Sequence, residues 1–319
     1  MVRSMTRDPA PARPPELRER DVAEFLGVRP RLFGIAYRML GSVAEAEDVV
    51  QDAWIRWQRT DRADVQNPAA FLTTITTRLA ITAATSARAR RETYLGPWLP
   101  EPVDTRDDPT LGAERAEALE LAVLLLLERL SPTERAAYVL REAFDYTYRQ
   151  VAVALDVSEA NARQVVHRAR LALTSERRAP ASRERQRELL EAFVAAARHG
   201  RLDDLERLLA DDVVARADGG GRTHAAQKDL VGVARVVTLL DNVLRKYWRD
   251  ALLEAADVNG GAAMLVRDGA GTPIAVVSTD ASDAGIERIL IIVNPDKLVH
   301  LTAPPPTVCA AEEEQSQGW

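Results

Sequence analysis

Cysteine is almost absent from this chain of 319 residues: Cys309 is the only one. A disulfide framework and a cysteine-based zinc site are therefore excluded. Histidine is scarce too, and His167, His199, His224 and His300 form no i,i+4 pair suited to a metal. No glycine-rich phosphate loop is present, because Gly219, Gly220 and Gly221 precede no Lys-Ser or Lys-Thr pair. The apolar run through Val123 to Leu127 is far too short to span a bilayer. Met1 to Pro15 is rich in arginine and proline but has no apolar stretch. It reads as a flexible leader and not as a secretory signal. An excess of positive charge is also missing. The net charge is −6, so any nucleic-acid binding must use a local basic face or a partner's help. Together these absences predict a cytoplasmic chain with no membrane span, no metal and no cofactor.

What is present has an ordinary globular composition, with 46% hydrophobic and 28% charged residues. The length predicts two or three domains. The most informative stretch is Ser131 to Leu173. Ser131, Pro132 and Glu134 predict a helix start with a capping box. A second helix fits Tyr148 to Leu155, Asp156-Val157-Ser158 makes a short break, and a third helix runs from Ser158 to about Leu173. Ala162, Val165, Val166, Ala169 and Leu173 share one face of that helix. Asn161, Arg163, Gln164, His167, Arg168 and Arg170 share the other. Such an arrangement is a helix-turn-helix, whose second helix enters the major groove. Arginine suits guanine edges and phosphates, and asparagine or glutamine suits adenine. An ordinary amphipathic helix pair with a solvated charged face would show the same pattern.

Upstream, helical patterning from Glu16 to Leu40 is predicted to be interrupted at Pro30. Ser42 to Glu45 is a further capping box. The helix it opens carries an apolar stripe from Val43 to Trp57, and Asp48, Gln51 and Asp52 on its opposite side. Asn67-Pro68 starts another helix, through Phe71 and Leu79. The basic run Arg78, Arg88, Arg90 and Arg91 along it fits either helix-end cations or a phosphate-contacting surface. Glu92 to Pro109 reads as a linker. Tyr94, Leu95, Trp98 and Leu99 are costly to leave in water, so part of that linker should dock. Leu111 to Leu130 reads as a helix again.

FGIAYRMLGSVAEAEDVVQDAWIRWQR, NPAAFLTTITTRLA and the helix-turn-helix, in that order, resemble regions 2 and 4 of a bacterial sigma factor of the extracytoplasmic-function type. The resemblance implies two all-α domains, binding of core RNA polymerase, and recognition of promoter DNA. It assigns Asp48, Gln51 and Asp52 to the polymerase interface. It places Asp64, Gln66, Asn67 and Arg78 on the −10 element, where a flipped base is captured. The Ser158–Leu173 helix becomes the reader of the −35 element. It also implies a factor that works as a monomer outside the holoenzyme.

Beyond Leu173 comes an arginine-dense linker, then helices at Glu188–Arg198 and Leu202–Leu209 and a strand from Asp211. Asp218 to Gly221 is a turn, Lys228 to Tyr247 is predicted helical, and an antiparallel run of strands follows between Leu252 and Val293. Helices and then strands predict an α+β domain with helices on one side of a curved sheet. This part resembles the SnoaL-like domains of the NTF2-like cone fold, which leaves room for a small-molecule ligand. WLPEP (Trp98, Leu99, Pro100, Glu101, Pro102), DGGGR (Asp218, Gly219, Gly220, Gly221, Arg222) and NPDKL (Asn294, Pro295, Asp296, Lys297, Leu298) look like signature motifs. They mark extracytoplasmic-function sigma factors with a fused SnoaL-like domain, which regulates the sigma part in cis. Members often carry lysine where this chain has Arg222.

The expected organisation is a leader (1–15), region 2 (16–91), linker (92–110), region 4 (111–174), linker (175–187), cone (188–302) and a disordered tail (303–319). We expect Trp98 to anchor the linker against the Asp218 turn and the Asn294–Leu298 end. Asp212, Asp218 and His224 are acid–base candidates by type only, and the chain is read as a non-enzyme. Two other readings stay open. One is a one-component, ligand-responsive DNA-binding regulator; the other is an NTF2-like enzyme with a helical appendage.

Overall fold

The computed structural model describes residues 15–61, 65–105, 120–174 and 180–301. The leader before Pro15, Asp64, the linker beyond Thr105, the start of the helix expected from Leu111, residues 175–179 and the tail lie outside the described residues. The remainder of the expected 175–187 linker is partly helical, since the helix expected from Glu188 begins at Arg183.

Three helices form the first block: α1 (Pro15–Leu40), α2 (Val43–Arg59) and α3 (Pro68–Glu92). Both helix starts are capped as read from the sequence, but at Ser42 only half of the expected capping box forms, since the Glu45 carboxylate pairs with Arg90 instead. The Ser42 side chain accepts from Glu45 N at 3.3 Å, and the Asn67 side chain accepts from Ala70 N at 3.0 Å. The predicted interruption at Pro30 does not occur, and α1 runs straight through it. A proline inside a helix costs about 3 kcal/mol. Here burial of Phe25 before it, and of Leu32, Phe33, Ala36, Tyr37 and Leu40 after it, outweighs that cost.

The second block is α4 (Leu121–Leu127), α5 (Pro132–Tyr138) with a π turn at Val139–Ala143, α6 (Tyr148–Leu155) and α7 (Glu159–Thr174). Ser131 and Glu134 close the predicted capping box on α5, and Thr147 and Gln150 close another on α6. Asp156 ends α6 in the left-handed region at φ 58°, which turns the chain into α7. The two blocks share one apolar core, with Tyr37, Leu40 and Leu72 on one side and Leu127, Leu140, Val151 and Val166 on the other.

The C-terminal half opens with α8 (Arg183–Arg198) and α9 (Leu202–Leu208), and α10 (Val233–Lys246) follows later. The strands are β1 (Leu209–Asp218), β2 (Leu230–Val231), β3 (Leu252–Val258), β4 (Gly261–Arg267), β5 (Pro273–Ser282) and β6 (Gly285–Ile292). A short helix, α11 (Pro295–Leu298), closes the domain. Their order in the sheet is β2-β1-β6-β5-β4-β3. One expectation is corrected. Residues 230 and 231 pair with β1 as an edge strand, so the helix expected from Lys228 begins only at Val233. Strands β3 to β6 are antiparallel as expected, but β1 lies parallel to β6, which the long intervening crossover permits.

One face of the sheet (Met264, Val266, Ala275, Val277, Ile289 and Ile291) packs on the helices around Leu190, Phe193 and Leu240. This is the expected cone. The other face (Ala263, Leu265, Val276, Leu290 and Ile292) packs on Leu99 and Leu121, which come from the helical half. Leu99 of the linker and Leu121 of α4 thus cover the back of the sheet together with Leu298 and Leu301.

Candidate interdomain clamp and promoter-reading surfaces

The clamp is built around Asp218, the last residue of β1, which has no exposed surface. Its Oδ1 accepts from the Tyr94 hydroxyl at 2.6 Å and from Gly220 N at 3.1 Å. Its Oδ2 accepts from Leu99 N at 2.8 Å and from Lys297 Nζ at 2.7 Å. Lys297 also donates to the Leu99 carbonyl and lies 4.4 Å from the centre of the Trp98 ring. Asn294 Nδ2 donates to Tyr94 Oη at 3.0 Å. All three motifs thus meet in one cage, and each supplies a polar group that another satisfies. Burial pushes the Lys297 ammonium below its ordinary value, and Asp218 beside it opposes that shift. Burial, reinforced by Asp218, pushes the Tyr94 phenol well above its ordinary value, so it stays a donor.

Two glycines are required by close approach. At Gly220 (φ 57°) a Cβ would lie 2.3 Å from Asn294 Nδ2 and 2.9 Å from Tyr94 Oη. At Gly41 (φ 65°) it would lie 2.7 Å from the Trp98 ring. Both positions take glycine because other residues lack the space and the conformation. Trp98 is only half-buried, sandwiched between Lys297 and Arg91, whose guanidinium lies 3.5 Å from the ring centre. Leu99 is the fully buried anchor. The exposed Arg222–Asp296 pair at 3.3 Å adds little.

A second seam joins the two helical blocks. The buried Arg135 donates to the Met39 carbonyl at 2.7 Å, the Leu127 carbonyl at 2.8 Å and Glu128 Oε1 at 2.6 Å. Arg91 pairs with Glu128 and donates to the Leu40 carbonyl. Arg78 donates to the carbonyls of Ala154 and Val153 at 3.0 and 3.1 Å, at the end of α6. Thr73 and Tyr146 hydroxyls share a hydrogen bond of 2.9 Å.

The remaining sequence-predicted residues lie on the surface. Asp48, Gln51 and Asp52 are exposed together on α2, and Gln66 is exposed before α3. The Asn67 side chain is occupied as the α3 cap. On α7, Asn161, Arg163, Gln164, His167, Arg168 and Arg170 are all exposed. Arg163 pairs with Glu159, Arg168 lies 3.7 Å from Glu134 and Arg170 2.6 Å from Glu142. Arg135 and Asn259, which prove central to packing, carry no motif in the sequence; Asn259 stands out only as a turn residue.

A cavity of about 400 Å³ lies inside the cone, lined by Leu239, Val243, Trp248, Ile274, Ile291 and His224 among others. Of the three acid–base candidates, His224 lines this cavity. Asp218 is committed to Lys297, and Asp212 lines a separate groove with Arg216 and Arg288.

Comparison with known proteins bears on both halves. Residues 25–90 match the family model for Sigma-70 region 2, and residues 120–173 that for Sigma-70, region 4. The chain is 39% identical over 235 residues to the ECF RNA polymerase sigma factor SigJ of Mycobacterium tuberculosis, covering 71% of this chain and 74% of that protein. It is 32% identical over 285 residues to the probable ECF RNA polymerase sigma factor SigI of the same species, covering 86% and 93%. The crystal structure of Mycobacterium tuberculosis extracytoplasmic function sigma factor SigJ superposes with a TM-score of 0.70 at 34% identity, covering 86% of this chain and 97% of that one.

Proposed function

We propose, since the chain belongs to the family of extracytoplasmic-function RNA polymerase sigma factors, that the structure is the closed, self-restrained form of such a factor. As a member of that family it directs promoter-specific initiation by RNA polymerase. In our reading α2 offers Asp48, Gln51 and Asp52 to the core enzyme. The Gln66–Asn67 loop and α3 take the −10 element, and α7 takes the −35 element.

The observation that carries the closed-state reading is the shared core between the two helical blocks. Promoter elements named for positions about 25 base pairs apart lie roughly 85 Å apart along B-DNA. Blocks packed on each other through Arg135, Arg78 and Tyr146 cannot reach both at once. The linker that joins them is held by Asp218 and Lys297 of the cone. The cone thus acts in cis, fixing the linker and with it the spacing of the two readers. The prolines of the linker reduce its free conformations and so lower the ordering cost of docking.

Run-off transcription with core RNA polymerase tests this. The template is the promoter upstream of the protein's own gene or its neighbour's. The full chain is compared with a version cut after Leu173, one cut before Asn294, and Trp98→Ala. Specific initiation by the full chain is expected, with more from the chain cut before Asn294, which lacks Lys297. If Trp98→Ala changes neither transcription nor protease cleavage of the linker, cis restraint through this segment fails. Sequence-specific duplex binding without initiation by any version would favour a one-component regulator.

A further inference from the structure

The linker touches the cone at a second place, the tip of the β3–β4 hairpin, apart from the Asp218–Lys297 cage. Asp104 forms an antiparallel bridge with Val258, Thr105 N donates to the Asp257 carbonyl at 3.4 Å, and Gly260 N donates to Thr105 Oγ1 at 3.0 Å. At the centre stands Asn259, with no exposed surface. Its backbone N donates to the Val103 carbonyl at 2.8 Å, and its Oδ1 accepts from Val103 N at 2.9 Å. Its Nδ2 donates to the hydroxyl of Tyr37, on α1, at 2.6 Å. Tyr37, equally buried, donates in turn to the Glu101 carbonyl at 2.5 Å. Burial pushes the Tyr37 phenol well above its ordinary value, against the smaller opposing effect of Asn259, so the hydroxyl keeps its proton.

The turn alone accounts for part of this. Asn259 and Gly260 have φ of 54° and 71°, the conformation of a two-residue hairpin turn that favours Asn-Gly. Aspartate or glycine would also satisfy such a turn. Of these three, only asparagine offers a donor and an acceptor on one planar group. Here both are used, one on the linker backbone and one on the helical half. Glu101, beside them, is itself fixed to the α1–α2 corner: its N donates to the Gly41 carbonyl at 2.8 Å, and its Oε2 accepts from Val43 N at 2.7 Å.

We propose that Asn259 is a second latch, whose amide binds Val103 and Tyr37 together and holds the cone to the linker and α1 independently of the Asp218–Lys297 cage. It rests on the reading that the cone restrains the sigma half in cis.

The test uses the full chain, with run-off transcription by core RNA polymerase and limited proteolysis of the linker as readouts. Asn259→Gly keeps the turn and removes the amide. Loss of two side-chain hydrogen bonds predicts linker cleavage faster by roughly five- to hundredfold, and a rise in transcription in the same direction. Tyr37→Phe, in the other half of the molecule, should act likewise, and it carries the test if Asn259→Gly lowers the yield of folded chain. The double variant should fall short of the product of the two single effects, because the Asn259–Tyr37 bond is lost only once, whereas combination with Asp218→Asn should multiply. Multiplying effects of Asn259→Gly and Tyr37→Phe would overturn the direct contact. If Asp218→Asn opens the linker while neither Asn259→Gly nor Tyr37→Phe does, the latch is wrong and the cage stands. If none of the three opens it, restraint in cis fails with it.

Discussion

A carboxylate shut away from water is tolerable only while its partners stay in place, and Asp218 has four: Tyr94, Leu99, Gly220 and Lys297. Breaking a buried ion pair from one side costs about 3–5 kcal/mol, because the other charge stays buried without compensation. Asp218→Asn should therefore free the linker. Cleavage between residues 92 and 105 should accelerate, and transcription by the full chain should rise. The sequence drew attention to Trp98 for its size, yet the side chain sunk into the sheet is Leu99, while Trp98 spreads its ring between two cations. Removing a buried leucine side chain costs about 2–5 kcal/mol. Leu99→Ala should thus loosen the linker more than Trp98→Ala, as read by the same cleavage rate. The smaller effect is expected for Trp98 because it is only half-buried and its ring lies against two charged groups.

Among the elements, α5 shows how far local chemistry reaches. Ser131 and Glu134 exchange hydrogen bonds across the first turn, as their spacing predicts. Ser131→Ala should cost about 1 kcal/mol of stability, measurable by denaturant unfolding. The Ser131 hydroxyl holds the Glu134 carboxyl below its ordinary value. The Ser131 amide and Arg168 help, and partial burial opposes them. A carboxyl depressed in the folded state stabilises it above the unfolded value and loses that contribution as pH falls through the folded one. Acidification should therefore weaken α5 only below the usual carboxylate range, which an NMR titration of Glu134 would follow. In contrast, the seam between α3 and α6 has no local signal. Arg78 looked like a helix-end cation or a phosphate contact, but it holds the final carbonyls of α6. Arg78→Ala should raise amide hydrogen exchange across 148–157, with little change in α2.

At the scale of the molecule, the closed arrangement predicts a change in distance. Labels on exposed positions of α2 and α7 should report proximity in the free chain and separation in the promoter complex. Equal distances in both would contradict the closed-state reading. The two-faced sheet explains why the cone is tied to the rest. Strands β4 to β6 are apolar on both faces, which suits a sheet covered on both sides. The helices α8 to α10 cover one side only, and the other is covered by Leu99 and Leu121 together with Leu298 and Leu301. That pattern was present in the sequence as near-continuous apolar runs, and it signals a missing cover without naming which segment supplies it.

The sequence by itself determined the helices and their caps, the helix-turn-helix with its polar face, the strands of the cone and the three motifs that meet at Asp218. These depend on short-range periodicity, capping and turn chemistry, which act over a few residues. Tertiary structure alone decided that α1 passes through Pro30, that residues 230 and 231 pair as a strand, that Arg78 faces α6, and that Asn259 reaches Tyr37 across 222 residues of chain. In each case the deciding interaction is a burial or a hydrogen bond between segments remote in sequence. No local pattern encodes the partner, because a side chain's donors and acceptors fix what it can bind and only the packing fixes which group arrives.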